Sequence, residues 1–240
     1  MNRCFAALSI ALIPLSVLGC PDPPTFCDRN PYAYGCQTST QTTTTQQQTL
    51  PCDNNNPNGV PVFLPVYYIQ QECNELCWAA AIKMVGDYFG RYFQECEYAS
   101  YKFALQSGMQ YNCCYGPSAC YDAYCNQPAQ TYEMVAVLDS GIGLYGDFIQ
   151  TGAGLPEQVI QAELDNDRPI IIGFQGPFNG HVAVLVGYTP GFPTTYTVYD
   201  PWPTFGIVTV TYEQLLQGPN WSTPWVMSFY HLSTTGGTCP

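Results

Sequence analysis

The pattern of apolar residues changes once along this chain, near Arg168, and that change limits the folds open to it. Before it, apolar residues recur every three to four positions in several segments, the spacing of helices that bury a face. After it come short runs of β-branched and aromatic residues, separated by Gly, Pro, Asn and Thr. Helices followed by hairpin-connected strands predict an α+β fold, with a helical first half and an antiparallel sheet in the second half.

The same periodicities set the expected elements. The helical spacing predicts helices over residues 76–88, 94–105, 131–140 and 156–166, and a short one over 212–217. The β-rich runs predict strands over residues 169–174, 181–188, 196–200, 206–210 and 225–230.

The N-terminus has the features of an export signal. Residues 1–19 join a short basic start to an apolar run that Pro14 interrupts, too short for a comfortable membrane span. The run ends in Leu18-Gly19-Cys20, which resembles the bacterial lipobox, so Cys20 is expected to be lipidated and to anchor the protein to a membrane. Secretion without a lipid is the alternative. Either way, we expect an exported protein of the bacterial cell envelope, its outer surface or the medium.

Composition divides the rest of the chain. Residues 20–50 are rich in Pro, Thr, Gln and Asn and predict a flexible tether, which leaves residues 51–240 as one folded domain. Thirteen cysteines indicate disulfides and an oxidising compartment. The net charge of −12 rests on only six basic residues, scattered along the chain, which argues against a nucleic-acid partner.

Cys77 is a candidate catalytic nucleophile. It stands at the start of the first predicted helix, with Asn74 as the expected N-cap and Gly90 as the end signal. In a first helical turn, unpaired backbone N–H groups and the helix dipole favour a thiolate, so the pKa of Cys77 is expected to be lowered. The alternative is that Cys77 is one more disulfide cysteine, and this stretch alone does not decide between the two.

A cysteine nucleophile needs a base, and the chain has only two histidines, His181 and His231. His181 follows a loop and opens an apolar strand, so its ring can face a cleft. His231 lies near the end of the last strand and is expected to be structural. Asp200 ends the strand after that of His181; if the two strands pair as a hairpin, Asp200 comes to lie beside His181 and can orient its ring.

Together these residues resemble papain-like cysteine proteases. Cys77, His181 and Asp200 occur in that family's order, and Gln71 lies six residues before the thiol, as in its Gln-x5-Cys-Trp signature. The Cys-Trp-Ala-Ala start, the strand that begins at His181 and the Asp-Pro-Trp end are similar to the compact bacterial branch related to bacteriocin-leader (double-glycine) peptidases. The resemblance implies a papain-like catalytic domain with its active-site cleft between the helical and sheet halves.

The resemblance also implies a role for each residue. Cys77 would be the nucleophile, His181 the general base and later acid, Asp200 the orienting group, and Gln71 an oxyanion donor, with Gln70 as the fallback. The expected function is hydrolysis of peptide bonds in a protein or peptide substrate through an acyl-thioester, by a monomer without metal or cofactor. A transglutaminase, deamidase or amidase on the same triad and a catalytically inactive papain-like binding protein are the alternatives.

The cysteine count fits this assignment. Removing Cys4 with the signal, Cys20 for the lipid and Cys77 for catalysis leaves ten cysteines, an even number. The expected disulfides are Cys52 with Cys239, Cys27 with Cys36, and Cys73 and Cys96 with the Cys113/Cys114 loop. The pairing of Cys73 stays open, because papain-type enzymes have their structural cysteine three residues before the nucleophile and Cys73 is four before. A zinc site of Cys113, Cys114, Cys120 and Cys125 is a rival, although its spacing fits no common zinc pattern.

Aromatic residues could line the expected cleft. The candidates are Phe174, Phe178 and Trp202, although aromatic residues at such places more often belong to the core.

Overall fold

Helices come first and most strands later, in an α+β fold as predicted. The computed structural model describes residues 59–115, 119–150, 152, 154–175, 180–218 and 223–235. The expected signal, the tether with Cys20, the two disulfides expected for Cys27, Cys36, Cys52 and Cys239, and Phe178 lie outside the described residues. Among the helices that are described, none has the length and apolar character needed to cross a bilayer.

Five α-helices are described. They are α1 (Cys77–Tyr88), α2 (Glu95–Ser107), α3 (Thr131–Ala136), α4 (Glu157–Asp165) and α5 (Tyr212–Gln217). A π-helical turn, Val137–Gly141, continues α3, and a 3₁₀ turn covers Ala119–Tyr121. The segment predicted as a helix, residues 131–140, is therefore helical throughout, and it changes from α-helical to π-helical at Val137.

Seven strands form one antiparallel sheet. They are β1 (Val62–Phe63), β2 (Tyr145–Gln150), β3 (Ile170–Gln175), β4 (Gly180–Thr189), β5 (Thr195–Asp200), β6 (Gly206–Thr211) and β7 (Trp225–Ser233). Their order is β2-β7-β3-β4-β5-β6, and β1 pairs with the end of β4. The expected hairpin of β4 and β5 is present, with Leu185 opposite Val198.

Two strands were not predicted from the sequence. β1 is only two residues long, and β2 lies in chain order among the helices yet pairs with the last strand, β7. β2 sits at the end of the sheet order, and its residues are exposed or half-buried throughout; Phe148, for example, is 39% exposed. An edge strand of this kind does not need an alternating apolar pattern, so its sequence carries little β signal.

Helix α1 lies at the centre of the molecule, between α2 and strand β4. Eight of its twelve residues are buried, so it buries more than the single face expected from its spacing. Gly90 ends this segment with a φ of +76°, which glycine adopts without strain, as expected for an end signal. The expected N-cap is wrong: Leu76 occupies that position, because the helix begins at Cys77 and Asn74 lies two residues too early.

Among the described residues, three disulfides involve the loop after α2: one ties it to the segment before α1, one to the start of α2, and one closes the loop on itself. They join Cys73 to Cys120, Cys96 to Cys114 and Cys113 to Cys125. The expected links of Cys73 and Cys96 to the Cys113/Cys114 loop are confirmed: Cys96 bonds to Cys114, and Cys73 bonds to Cys120 further along that loop. The zinc alternative is wrong, because all four of its cysteines are in disulfides and cannot act as a thiolate cage.

Candidate active site

Cys77 is the first residue of α1 and the one cysteine in the described part of the chain that forms no disulfide. Its side chain is half-buried, and its sulfur accepts hydrogen bonds from the backbone N–H groups of Val182 and Trp78. The alternative assignment of Cys77 as a disulfide partner is therefore wrong.

The pKa of the Cys77 thiol departs from expectation. Burial raises it to about 12, and the negative charges of Asp200 and Glu75 add to the rise, while the bonds from Val182 and Trp78 oppose it. The lowering expected from the helix start is therefore outweighed by desolvation.

His181 and Asp200 form a buried pair on neighbouring strands. His181 is the second residue of β4, and Asp200 is the last residue of β5. The Nε2 of His181 lies 2.8 Å from the Oδ1 of Asp200, and both side chains are almost fully buried. Asp200 Oδ1 also accepts a hydrogen bond of 2.9 Å from the backbone N–H of Trp202, which fixes the carboxylate.

The thiol and the histidine meet in one cleft of about 740 Å³ between the helical and sheet halves. Because the sulfur of Cys77 accepts from Val182, the residue after His181, it lies directly beside the start of β4. Trp202 and Phe174 also line this cleft. A cleft of this volume is in the range that small molecules or a few residues of an extended peptide occupy.

Gln71 lies at the start of the turn that leads to Cys77 and is not among the described residues that line the cleft. Its side chain is buried, and its Nε2 donates to the carbonyl oxygens of Cys73 at 2.7 Å and Asn74 at 3.0 Å. Its Oε1 has no hydrogen-bond partner within the described structure. The backbone N–H of Gln71 donates to Pro201, the residue after Asp200, and so ties this turn to the sheet. Gln70 is exposed.

The sequence did not predict the hydrogen bonds that fix the wall of the cleft around Glu75 and Trp78. The backbone N–H of Glu75 donates to Asn126 Oδ1 at 3.0 Å, and Trp78 Nε1 donates to the carbonyl of Gln127 at 3.0 Å. Asn126 in turn donates from Nδ2 to the carbonyl of Cys120 at 3.0 Å. The contacts of Glu75 and Trp78 join residues about fifty positions apart, and no local sequence pattern indicates them. The position of Glu75, two residues before the thiol, is the one signal that could have marked it as a cleft residue.

His231 lies away from the cleft, in β7, with a φ of +54°. Its Nδ1 is 2.7 Å from Asp147 Oδ2, and its Nε2 is 3.0 Å from Glu163 Oε1. Arg168 also binds Glu163 through Nε at 2.9 Å and a terminal nitrogen at 2.8 Å. The ring therefore belongs to an ion cluster that joins β2, β7 and α4.

An α+β fold that places a helix-start thiol beside a histidine–aspartate pair, in a cleft between helices and sheet, defines the class of papain-like cysteine peptidases. Within that class, the chain belongs to the Peptidase_C39 like family, whose model matches residues 63–223. No curated protein matches the chain.

Solved structures are also similar to it, among them the following three. The peptidase domain of Streptococcus ComA, a bifunctional ABC transporter involved in a quorum-sensing pathway, is 13% identical, with 69% of this chain and 96% of that chain covered and a TM-score of 0.48. A double-glycine-motif protease from an AMS/PCAT transporter, in complex with its leader peptide, is 17% identical, with 71% and 96% covered and a TM-score of 0.46. UfSP from C. elegans is 16% identical, with 75% and 35% covered and a TM-score of 0.40. The assignment to the family rests on the family match.

Proposed function

We propose that this protein is an exported cysteine peptidase that hydrolyses peptide bonds through an acyl-thioester on Cys77. The observation that carries the proposal is the buried 2.8 Å contact of His181 with Asp200 at the wall of the cleft that also holds the thiol. The roles are those of a triad: Cys77 as nucleophile, His181 as base and Asp200 as the orienting carboxylate.

The first chemical step is attack by the sulfur on the substrate carbonyl carbon. With the Nε2–H of His181 donating to Asp200, Nδ1 carries the lone pair that can accept a proton. Because burial raises the pKa of the thiol to about 12, Cys77 loses its proton to His181 as the carbon–sulfur bond forms, rather than in advance. The product of this step is a tetrahedral oxyanion and an imidazolium that Asp200 stabilises.

The oxyanion needs hydrogen-bond donors. The backbone N–H of Cys77 is suited to this role, because the first N–H groups of a helix have no intrahelical acceptor. Gln71 is the second proposed donor: its Nε2 would exchange the longer of its two bonds, to the Asn74 carbonyl at 3.0 Å, for a bond to the oxyanion. Gln70 is the fallback.

Three further proton transfers complete the reaction. The imidazolium of His181 protonates the leaving amine as the carbon–nitrogen bond breaks, which leaves the acyl group on sulfur. Neutral His181 then takes a proton from a water molecule as the water oxygen attacks the thioester carbon. When the second tetrahedral intermediate collapses, the carbon–sulfur bond breaks and the imidazolium returns this proton to the Cys77 sulfur, which regenerates the thiol and the neutral histidine. No step needs a metal or cofactor, and one chain supplies every group, so the proposed active form is a monomer.

The proposed location is outside the cytoplasm. Three disulfides in the described residues fit an oxidising compartment. We propose that residues 1–19 are the export signal and that Cys20 carries lipid, with residues 20–50 as the tether. Metabolic labelling with an alkyne fatty acid should mark the wild-type protein and not Cys20→Ser; equal labelling of the two would refute the lipid assignment.

The direct test of the proposed function is cleavage of a peptide library by the oxidised full chain, with Cys77→Ala as the control. We expect cleavage that depends on Cys77 and that iodoacetamide abolishes. Incorporation of a primary amine into a glutamine peptide, or release of ammonia without chain cleavage, would instead assign the triad to a transglutaminase or deamidase. No turnover and no alkylation of Cys77 in the native protein would refute every enzymatic assignment and leave a binding protein.

A further inference from the structure

We infer that Glu75 makes the cleft selective for substrates with a basic side chain next to the scissile bond. This inference rests on the proposed function, since it names the substrate class of the same site. Glu75 lines the cleft two residues before the thiol, and its side chain is exposed.

Glu75 is held in place on both sides. Its backbone N–H donates a hydrogen bond to the side-chain oxygen of Asn126. The side-chain amide of Asn126 donates in turn to the carbonyl oxygen of Cys120, and a disulfide joins Cys120 to Cys73, two residues before Glu75. Its carboxylate forms no hydrogen bond or ion pair with any other described residue, so the charge is available to a ligand. It is also close enough for its charge to act on the Cys77 thiol.

No cation offsets this charge. Among the described residues that line the cleft, Glu75 and His181 are the only ones with ordinarily charged or basic side chains, and His181 is directed to Asp200. The described residues contain only four lysines and arginines, and none of them lines the cleft. Lys83 pairs with Asp87, Arg168 pairs with Glu163, and Lys102 is buried. The fourth, Arg91, has its guanidinium beside Gly143, which does not line the cleft.

The field at the cleft is therefore negative. A partly enclosed cleft lined by one sign of charge concentrates ligands of the opposite sign, and the net charge of −12 acts in the same direction at longer range. A substrate cation beside Glu75 would form an ion pair in a site that is less hydrated than the open surface. A substrate carboxylate at the same place would be repelled.

The test compares peptides that differ in a single side chain. Starting from a peptide that the enzyme cleaves, the residue on either side of the scissile bond is replaced in turn by arginine, by citrulline, which is its neutral isostere, and by glutamate. We expect kcat/KM for the arginine peptide to exceed that for the citrulline peptide by about fivefold at one of the two positions, the usual upper range for one partly exposed ion pair. The glutamate peptide should be the poorest of the three.

Two variants assign the effect to Glu75. Glu75→Gln should bring the arginine-to-citrulline ratio to about 1, and Glu75→Lys should make the glutamate peptide the better substrate. Glu72→Gln is the matched control, because Glu72 is exposed, lies in the same loop and does not line the cleft; it should keep the wild-type ratio. The use of ratios cancels any general effect of Glu75 on the reactivity of the thiol.

The wild-type enzyme supplies a second measurement that needs no variant. Raising the ionic strength from about 0.02 to 0.5 M should lower the arginine-to-citrulline ratio, because salt screens an exposed pair. A ratio near 1 at both positions in the wild-type enzyme, or a ratio that Glu75→Gln leaves unchanged, would overturn the inference while peptide cleavage itself still stands. Absence of cleavage of any peptide would instead overturn the proposed function.

Discussion

Substitution of Glu95 should change how stability depends on pH, because this carboxyl is buried beside the turn that leads to Cys77. Glu95 opens α2, is only 1% exposed, and accepts a hydrogen bond of 3.0 Å from the backbone N–H of Glu72. Burial raises the pKa of Glu95 from 4.5 to about 7, and the charge of Glu72 adds to the rise, while that hydrogen bond and the charge of Lys83 oppose it.

The sign follows from the raised pKa. The folded protein binds the Glu95 proton more tightly than the unfolded chain, so the stability contributed by this proton is fully present below pH 4.5 and is lost as the pH rises through about 7. A shift of about 2.5 pKa units corresponds to roughly 3.4 kcal/mol in all, of which about 2.5 kcal/mol is lost between pH 5 and pH 8. That is a substantial part of a typical stability of about 5–15 kcal/mol.

The perturbation is Glu95→Gln, which keeps the size of the side chain and an oxygen that can accept from Glu72. Urea unfolding of the oxidised protein, followed by tryptophan fluorescence at pH 5, 6, 7 and 8, gives the free energy of unfolding of the variant and the wild type. The variant should gain about 2.5 kcal/mol relative to the wild type across this range. Glu213→Gln, at an exposed position in α5, is the control that should leave the two curves parallel. Parallel curves for Glu95→Gln and the wild type would refute a raised pKa of Glu95 in the folded protein.

Three further predictions concern the site. His181→Ala should lower peptide cleavage to the level of Cys77→Ala, and an unchanged kcat would disprove the base assignment. Asp200→Asn should lower kcat by about 10²–10⁴-fold but keep some activity, because the imidazole of His181 loses its orienting charge and keeps its lone pair. Gln71→Ala should lower kcat by about 10²–10³-fold with little change in KM if its amide serves the oxyanion; a loss of thermal stability with kcat intact would restrict Gln71 to holding the turn. Because burial raises the pKa of Cys77 to about 12, its alkylation by iodoacetamide should accelerate steadily from pH 7 to pH 10, and a plateau from pH 5 to pH 8 would show a preformed thiolate instead.

The proposed triad could be named from the sequence because local sequence marks each of its members. Cys77 stands at the start of a strongly periodic helix, His181 at the start of an apolar strand and Asp200 at the end of the next one. The single long-range assumption was that two consecutive strands pair as a hairpin, and neighbouring strands in an antiparallel sheet commonly do.

The side-chain contacts of Gln71 were harder to predict, because a motif fixes the position of a residue but not the direction of its side chain. Its amide is buried and bonded to the carbonyls of Cys73 and Asn74, and these bonds depend on a turn that the sequence does not mark. The disulfide partners were equally non-local: the cysteine count gave an even number, while the folded loop selected Cys120 as the partner of Cys73.

By itself, the sequence determined the α+β order of elements, the three catalytic candidates and the shortage of basic residues, since periodicity, residue type and charge are local properties. Tertiary structure alone decided that β2 joins the sheet beside β7, that Glu75 faces an otherwise uncharged cleft wall, and that the pKa of Cys77 rises rather than falls. The last difference has a physical cause: a helix start lowers the pKa of a thiol through its nearest peptide groups, whereas burial is set by every element packed around it, and here burial is the larger effect.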